Sequence, residues 1–178
     1  NVDWHGCGVN AGWHGAFTVK ILVTGAASGL GRSAVQYLLQ SGESVVATGR
    51  NCEVGRSLTN AGAQFVALDL TEATEDDCAR LMDGCDAVWH CAAKSSPWGD
   101  KTAFWLANVN VTHTLAQAAG RLNIPRFIHI STPAVYFDFQ HHYDLPETYL
   151  ARAFSSHYAS SKYAAEQVIA GAVSRYSA

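Results

Sequence analysis

The stretch KILVTGAASGLG, residues 20–31, decides the fold of this chain. It begins with a short β-branched run, which is typical of a strand, and continues into a glycine-rich turn. Apolar residues then recur at helical spacing from Leu30 to Leu39, and Gly42 follows where the helix should end. The sequence therefore predicts a strand, a turn and a helix, the first unit of a parallel α/β sheet.

The same alternation of strand and helix patterns continues along the chain. Strands alternating with helices form βαβ units, whose parallel sheet is covered by helices on both faces. Because such crossovers are right-handed and the first turn is glycine-rich, we expect a doubly wound α/β fold with strand order 3-2-1-4-5. Further strands are predicted at 44–48, 64–68, 86–91 and 126–130, and further helices near 51–61, 74–83, 101–121 and 156–173.

The glycines of the first turn suit the binding of a dinucleotide pyrophosphate. Gly25 permits the tight turn, Gly29 lets the backbone approach a phosphate, and Gly31 lets the helix pack closely on the strand. The amides and the positive dipole end of the helix N-terminus would attract the anion. The cofactor-binding residues predicted in this turn are Gly25, Ser28, Gly29, Leu30 and Gly31.

Two further positions bear on the choice of cofactor. The second predicted strand leads into Gly49 and Arg50. In NAD-binding proteins a carboxylate at this position binds the ribose hydroxyls. The chain has no acid there, whereas Arg50 could pair with the 2′-phosphate of NADP, so NADP is favoured over NAD. Asp69 and Leu70 follow the third strand, where a side chain could reach the adenine amino group.

The composition of the 178-residue chain narrows the class of protein. With 48% hydrophobic and 15% charged residues the chain is expected to fold, and it has no run of 18 apolar residues that could cross a bilayer. A net charge of −3 gives no reason to expect nucleic acid or an anionic membrane as a partner. The five cysteines are scattered and form no CxxC pair, which favours a reducing, cytoplasmic location.

The first 19 residues differ from all that follows, because they show neither helical nor strand periodicity. We therefore divide the chain into an irregular N-terminal extension, 1–19, and an NAD(P)-binding domain, 20–178. His5, Cys7 and His14 match no metal-ligand spacing, so no metal site is predicted. The first residues include no initiating Met and show no charged-then-apolar pattern, so no secretory leader is expected there.

A second motif, Tyr158-Ala159-Ser160-Ser161-Lys162, follows the fifth predicted strand. On a helix, four-residue spacing places the tyrosine and the lysine on one face. A phenol with an ordinary pKa of about 10 is a poor base at neutral pH, and a nearby ammonium favours its ionised form. Such a pair can pass a proton to or from an alcohol or ketone oxygen during hydride transfer.

From Lys20 onward the chain resembles the short-chain dehydrogenase/reductase superfamily. More narrowly, it resembles the extended NAD-dependent epimerase/dehydratase branch, which includes 3β-hydroxysteroid dehydrogenase-like and 2-alkyl-3-oxoalkanoate reductase-like enzymes. The matching motifs are TGAASGLG at 24–31, DL at 69–70, HCAAKSSPWG at 90–99, NVNVT at 108–112, STPAVYF at 131–137 and YASSK at 158–162.

The resemblance implies a catalytic role for three residues. Tyr158 would be the acid/base, and Lys162 would favour the ionised phenol and bind the nicotinamide ribose. Thr132, four residues before Tyr136, would hydrogen-bond the substrate oxygen, while its neighbour Ser131 is interpreted as a strand-end hydroxyl.

Three other positions are implied to support the cofactor. Ala92 and Ala93 would line the cofactor channel, and Asn108 would help to position the active-site loop. The family chemistry uses no histidine, so only local hydrogen bonding or solvation is expected of His90, His129, His141, His142 and His157.

The chain departs from the extended branch in three ways. Its glycine spacing, GxxxGxG, is typical of the short single-domain branch, and Val111 stands where a glycine is common. The chain also stops just after the Tyr-Lys helix, so we expect the C-terminal substrate lobe of the extended branch to be missing.

The motifs favour an NAD(P)-dependent oxidoreductase that interconverts a secondary alcohol and a ketone. Nucleotide-sugar dehydratases commonly follow the catalytic Thr with Asp-Glu, whereas Thr132 is followed by Pro133-Ala134, so dehydration is disfavoured. Trp98-Gly99 and Phe137 resemble the hydroxysteroid and oxoalkanoate side of the branch, which predicts a fairly apolar small-molecule substrate.

Two alternatives remain open, a nucleotide-sugar epimerase of the same family and a non-catalytic dinucleotide-binding sensor. Related sensor proteins generally lose the Tyr and Lys that this chain keeps. Helices flanking the active site pair subunits in many relatives, so a homodimer is also an open expectation.

Overall fold

A computed structural model describes residues 18–151 and 153–176. Its five strands form one parallel sheet of order β3-β2-β1-β4-β5, which confirms the predicted topology. The strands are β1 Lys20–Thr24, β2 Ser44–Gly49, β3 Gln64–Ala67, β4 Ala87–His90 and β5 Arg126–His129. Residues 1–17, with His5, Cys7 and His14, lie outside the described residues.

The helices alternate with the strands along the described chain. They are α1 Gly29–Gln40, α2 Cys52–Asn60, α3 Glu75–Met82, α4 Lys101–Trp105, α5 Val111–Arg121 and α6 His157–Tyr176. A 3₁₀-helix, Pro133–Tyr136, follows β5. In residues 18–151 and 153–176 no helix combines the length and apolar character needed to span a membrane.

The single long helix predicted near 101–121 is interrupted, and this part of the prediction is wrong. A π-helical turn, Leu106–Asn110, separates α4 from α5. Apolar spacing does not reveal such a turn, because the apolar face is continuous on either side of it. The turn contains the buried Asn108. Its side chain donates to the Lys94 carbonyl, and its own carbonyl accepts from the Thr112 hydroxyl. Such turns inside helices are frequent at functional sites.

The core lies in two layers, one on each face of the sheet. Successive side chains of a strand point to opposite faces, and β1 shows this directly. Leu22 packs into a cluster that includes Leu81 of α3 and Leu115 of α5. Val23 packs into the opposite cluster, which includes Val35 of α1 and Leu58 of α2.

All five strands are parallel, so their carboxyl ends meet along one edge of the sheet. Thr24 pairs with Thr48 of β2 and with His90 of β4, and His90 pairs with His129 of β5. Ligands of open α/β sheets bind at this edge. The sheet therefore brings the phosphate turn, the end of β4 and the end of β5 to one side of the molecule.

Candidate functional site

The turn between β1 and α1 leaves no room for side chains at two of its glycines. Gly25 has φ +65°, and a Cβ there would lie 2.8 Å from the backbone of Ala92. A Cβ on Gly31 would lie 2.3 Å from the carbonyl oxygen of Gly25. Ser28 is the N-cap of α1, yet its side chain makes no capping hydrogen bond, so the first-turn amides are not occupied by it. These residues fit a bound pyrophosphate.

Arg50 and Asp69 lie beside this turn, after β2 and β3. Arg50 Nη1 is 3.7 Å from Asp69 Oδ2, and the Arg50 side chain is 78% exposed. Thr71 donates to Asp69 Oδ1 through its amide (3.0 Å) and its hydroxyl (2.8 Å). These hydrogen bonds lower the pKa of Asp69, and Arg50 lowers it further. Arg50, which the sequence predicts to bind the 2′-phosphate of NADP, is therefore accessible, and its carboxylate partner is Asp69.

His90 links the end of β1 to the π-helical turn through a chain of buried hydrogen bonds. The Thr112 hydroxyl donates to the Asn108 carbonyl (2.7 Å), so its oxygen accepts from His90 Nε2 (2.9 Å). His90 Nδ1 then accepts from the Thr24 hydroxyl (2.7 Å), whose oxygen accepts from the Ala92 amide (3.2 Å). Burial lowers the pKa of His90 well below its usual value. This histidine is therefore neutral, with its proton on Nε2.

Asn108 connects the segment after β4 to α6. The side chain, 1% exposed, accepts from the Lys94 amide (2.7 Å) and donates to the Lys94 carbonyl (3.1 Å). It also donates to the Ser161 hydroxyl (2.9 Å), which itself donates to the Tyr158 carbonyl (2.8 Å). Each of these bonds is buried or partly buried. The helix that contains Tyr158 is thus tied to the segment after β4.

Lys162 lies one turn after Tyr158 and is only 2% exposed. Its Nζ donates to the Ile130 carbonyl (2.5 Å) and lies 3.3 Å from His129 Nε2. Burial lowers the pKa of Lys162 to about 8, while Glu166 acts in the opposite direction. Burial and the charge of Lys162 lower the pKa of His129 to about 4. A neutral imidazole therefore faces the ammonium.

The two hydroxyls after β5 differ in their contacts. Ser131 hydrogen-bonds the carboxylate of Glu166 on α6. The Thr132 oxygen accepts from the Ala134 amide (3.3 Å) at the start of the 3₁₀-helix. A hydroxyl that accepts one bond keeps its own proton for another acceptor. Thr132 is therefore chemically able to donate to a substrate oxygen, whereas Ser131 is engaged with α6.

A cavity of about 650 Å³ opens beside Tyr158. Its walls include Trp98, Phe104 and Phe154, and the rings of Phe104 and Tyr158 are 6.4 Å apart. Trp98 is 81% exposed, an unusual exposure for an indole. Hydroxyls of Ser155, Ser156 and Ser160 and the side chain of His157 supply polar groups. Among the described lining residues there is no Asp, Glu, Lys or Arg.

The predicted site residues lie in two groups, one near Arg50 and one near Lys162. Arg50 follows β2, and Lys162 contacts the end of β5, three strands away in the sheet. At the usual spacing between strands this corresponds to about 14 Å. The residues near β1 and β4, Gly25 and Ala92, lie between the groups and contact one another.

Sequence reasoning missed several side chains of this region. His129 was expected to make only local contacts, yet it lies against Lys162. Glu166 was not singled out, although its four-residue spacing from Lys162 could have indicated a shared helix face. Within the described residues no cluster of three His, Cys, Asp or Glu side chains could hold a metal ion.

Two relatives are similar to this chain in sequence. The chain is 48% identical over 151 residues to the uncharacterized protein YbjS of Escherichia coli (strain K12), covering 85% of this chain and 45% of that protein. It is 33% identical over 150 residues to a 2-alkyl-3-oxoalkanoate reductase of Shewanella oneidensis, covering 83% of this chain and 37% of the reductase. The chain thus spans less than half the length of these two relatives.

A solved structure shows the same fold. The chain aligns with the UDP-glucuronic acid 4-epimerase of Bacillus cereus, in complex with UDP-glucuronic acid and NAD, with a TM-score of 0.78 and 28% identity. The alignment covers 89% of this chain and 54% of the epimerase. A family model also matches residues 21–178. The chain belongs to the NAD dependent epimerase/dehydratase family.

Proposed function

We propose that the protein containing this chain is an NAD(P)-dependent oxidoreductase that interconverts a secondary alcohol and a ketone on an apolar substrate. One observation carries the proposal. Tyr158 borders an aromatic cavity whose described lining has no charged side chain, while the buried amino group of Lys162 lies one helical turn away. A proton donor thus borders a space suited to an apolar carbonyl compound, and a cation lies one turn further along the same helix.

The residues present fit a dinucleotide. Gly25 and Gly31 leave the space that their Cβ atoms would fill, and the amides of the first turn of α1 would bind the pyrophosphate. Arg50 is exposed beside the turn, so we favour NADP, whose adenine Asp69 and Leu70 would contact. When bound, the nicotinamide supplies or accepts a hydride.

The protein groups handle the proton. In the reductive direction Tyr158 would give its proton to the carbonyl oxygen, while the Thr132 hydroxyl would hydrogen-bond the same oxygen. Lys162 would favour the phenolate that remains. The two residues after Thr132, Pro133 and Ala134, have no acidic or basic side chain, so they cannot assist a dehydration.

A nucleotide-sugar epimerase is the second candidate, favoured by the alignment with the UDP-glucuronic acid 4-epimerase. The two reactions differ in their cofactor balance. An epimerase removes a hydride and returns it, whereas a reductase consumes one NADPH for each ketone. The reductase ranks first because the chain is 33% identical to a 2-alkyl-3-oxoalkanoate reductase and because three aromatic residues, Trp98, Phe104 and Phe154, line the cavity beside Tyr158.

The deciding experiment incubates the full-length protein that contains this chain with NADPH and a panel of β-oxoalkanoates, steroid ketones and UDP-sugars. We expect NADPH to be consumed in equal amount with an apolar ketone, and the alcohol to be recovered by chromatography. Interconversion of UDP-sugars without net NADPH consumption would establish the epimerase instead. Tight NADPH binding without turnover of any compound would favour the sensor.

Two further expectations accompany the proposal. The described cysteines, Cys52, Cys78, Cys85 and Cys91, are free thiols, in agreement with the cytoplasmic location that we propose. Sedimentation of the full-length protein will test the homodimer that the family resemblance implies.

A further inference from the structure

We propose that His129 is a positioning residue for Lys162, whose ammonium it holds at the carboxyl end of β5 through a hydrogen bond to a neutral imidazole. The catalytic meaning of this contact rests on the proposed function. The contact itself can be tested without cofactor or substrate.

The surroundings of Lys162 make each hydrogen bond of its ammonium matter. An ammonium has three donors and no acceptor, and a buried one loses the water that would otherwise satisfy them. Lys162 Nζ finds two acceptors at the end of β5, the Ile130 carbonyl at 2.5 Å and His129 Nε2 at 3.3 Å. Both come from one strand end, so together they fix where the amino group lies.

The protonation of His129 follows from this contact. Because an ammonium can only donate, Nε2 must accept, and the ring proton then lies on Nδ1. His129 Nδ1 is buried and has no hydrogen-bond partner among the described residues. A buried, unpartnered N–H reduces stability. The ring thus keeps Nε2 directed at Lys162 even though its other nitrogen goes unsatisfied.

The other groups that face Lys162 explain why a neutral acceptor is useful. Glu166 lies on α6 and is hydrogen-bonded by Ser131, and Cys91 and the neutral His90 approach from β4. Glu166 stabilises the ammonium by its charge, but no direct ion pair with Lys162 occurs among the described residues. His129 adds a direct hydrogen bond without adding a second negative charge. Burial already lowers the pKa of Lys162 to about 8. The loss of one acceptor would lower this pKa further and increase the uncharged fraction of Lys162 near neutral pH.

The test is an NMR titration of the full-length protein that contains this chain, labelled at lysine Cε. The Lys162 signal is assigned as the one absent from Lys162→Met. In His129→Phe, which keeps an aromatic ring, we expect the Lys162 titration midpoint to fall by about one pH unit. In His129→Gln, whose side-chain carbonyl can accept, the midpoint should stay near its original value. His113→Phe, at an exposed position on α5, is the matched control.

Two outcomes would overturn the proposal: a Lys162 midpoint in His129→Phe equal to that of the unmodified chain, or equal shifts in the Phe and Gln variants. Thermal unfolding is recorded first, and His129→Leu replaces the Phe variant if that one does not fold. Absence of turnover in the unmodified protein would contradict the proposed function and leave this titration valid. With an active protein, the alkaline limb of the pH profile of kcat/KM should shift to lower pH in His129→Phe and return to its original pH in His129→Gln.

Discussion

The proposed phosphate turn, residues 24–31, and the proposed catalytic end, residues 129–132 with 158–166, are built from opposite kinds of groups. The turn TGAASGLG contains no ionisable side chain and depends on backbone amides and on missing Cβ atoms. The catalytic end depends on buried or half-buried ionisable groups, among them His129 and Lys162. Substitutions should therefore affect the turn through steric volume and the catalytic end through charge.

The two regions are joined by buried polar contacts. Thr24, at the start of the turn, bonds His90, and the chain of bonds continues through Thr112 to Asn108. Asn108 in turn bonds Ser161 on the helix that contains Tyr158 and Lys162. Helix α6 is thus connected by hydrogen bonds to the proposed phosphate turn.

The largest effect is expected at Tyr158. Tyr158→Phe removes the hydroxyl that we propose passes the proton and keeps the ring beside Phe104, so kcat for ketone reduction should fall by about 10²–10⁴-fold. The affinity for NADPH, measured by fluorescence titration, should change little. Tyr163→Phe, on the same helix and against Phe154, is the matched control and should retain activity. Undiminished turnover in Tyr158→Phe would remove this residue from the proposed mechanism.

A glycine exchange tests the steric side of the comparison. Gly31→Ala forces a Cβ to 2.3 Å from the Gly25 carbonyl, and it should lower the free energy of unfolding by about 1–3 kcal/mol and weaken dinucleotide binding. Gly171→Ala, on α6, places its new Cβ within 4 Å of no atom apart from its chain neighbours and the adjacent backbone of the helix, so it should instead raise the free energy by about 0.5–1 kcal/mol. Chemical denaturation measures both. Equal effects at the two glycines would contradict the steric account of the turn.

This contrast also explains how far the sequence could predict the molecule. The strand order and the turn were predictable because glycine spacing and hydrophobic periodicity are local signals. The π-helical turn Leu106–Asn110 was not, because its signal lies in the long-range bonds of Asn108 to Lys94 and Ser161. Periodicity reports which face of a helix is apolar and carries no information on such bonds.

The catalytic end shows the same division. The motif predicts which residues lie there, Tyr158 and Lys162, since their spacing is fixed on one helix. It does not predict that His129 faces Lys162, because that contact joins residues 33 apart in sequence. The burial that lowers the pKa of Lys162 likewise depends on several elements packed together. The sequence therefore predicts which residues lie at this end of the sheet, but it does not predict their electrostatic environment.

A smaller effect is expected at the far end of the cofactor site. Arg50→Ala removes the exposed guanidinium proposed to bind the 2′-phosphate, so the affinity for NADPH should fall about tenfold, the value of one charge-assisted hydrogen bond. The affinity for NADH should be unchanged, because NADH has no phosphate at this position. Arg56→Ala, also exposed and on α2, is the control. A preference of the unmodified protein for NADH would overturn this assignment.

The smallest effect separates the two regions by pH. His129 has a pKa of about 4 in the folded chain, below its ordinary value of 6.5, because burial and Lys162 oppose its protonation. Between these values the unfolded chain binds the proton and the folded chain does not, so the free energy of unfolding should fall as pH is lowered from 6.5 to 4. His90 contributes in the same direction.

Urea denaturation at a series of pH values in this window measures that slope. His129→Phe should reduce the slope by about one bound proton, because the residue that titrates only in the unfolded chain is gone. Gly31→Ala should lower stability at every pH and leave the slope unchanged, since residues 24–31 contain no ionisable group. A pH-dependent effect of Gly31→Ala, or a slope unaltered by His129→Phe, would show that the two regions are not divided between steric volume and charge. If both variants behave as expected, the pH dependence of the free energy of unfolding comes from the end that contains His129 and not from residues 24–31.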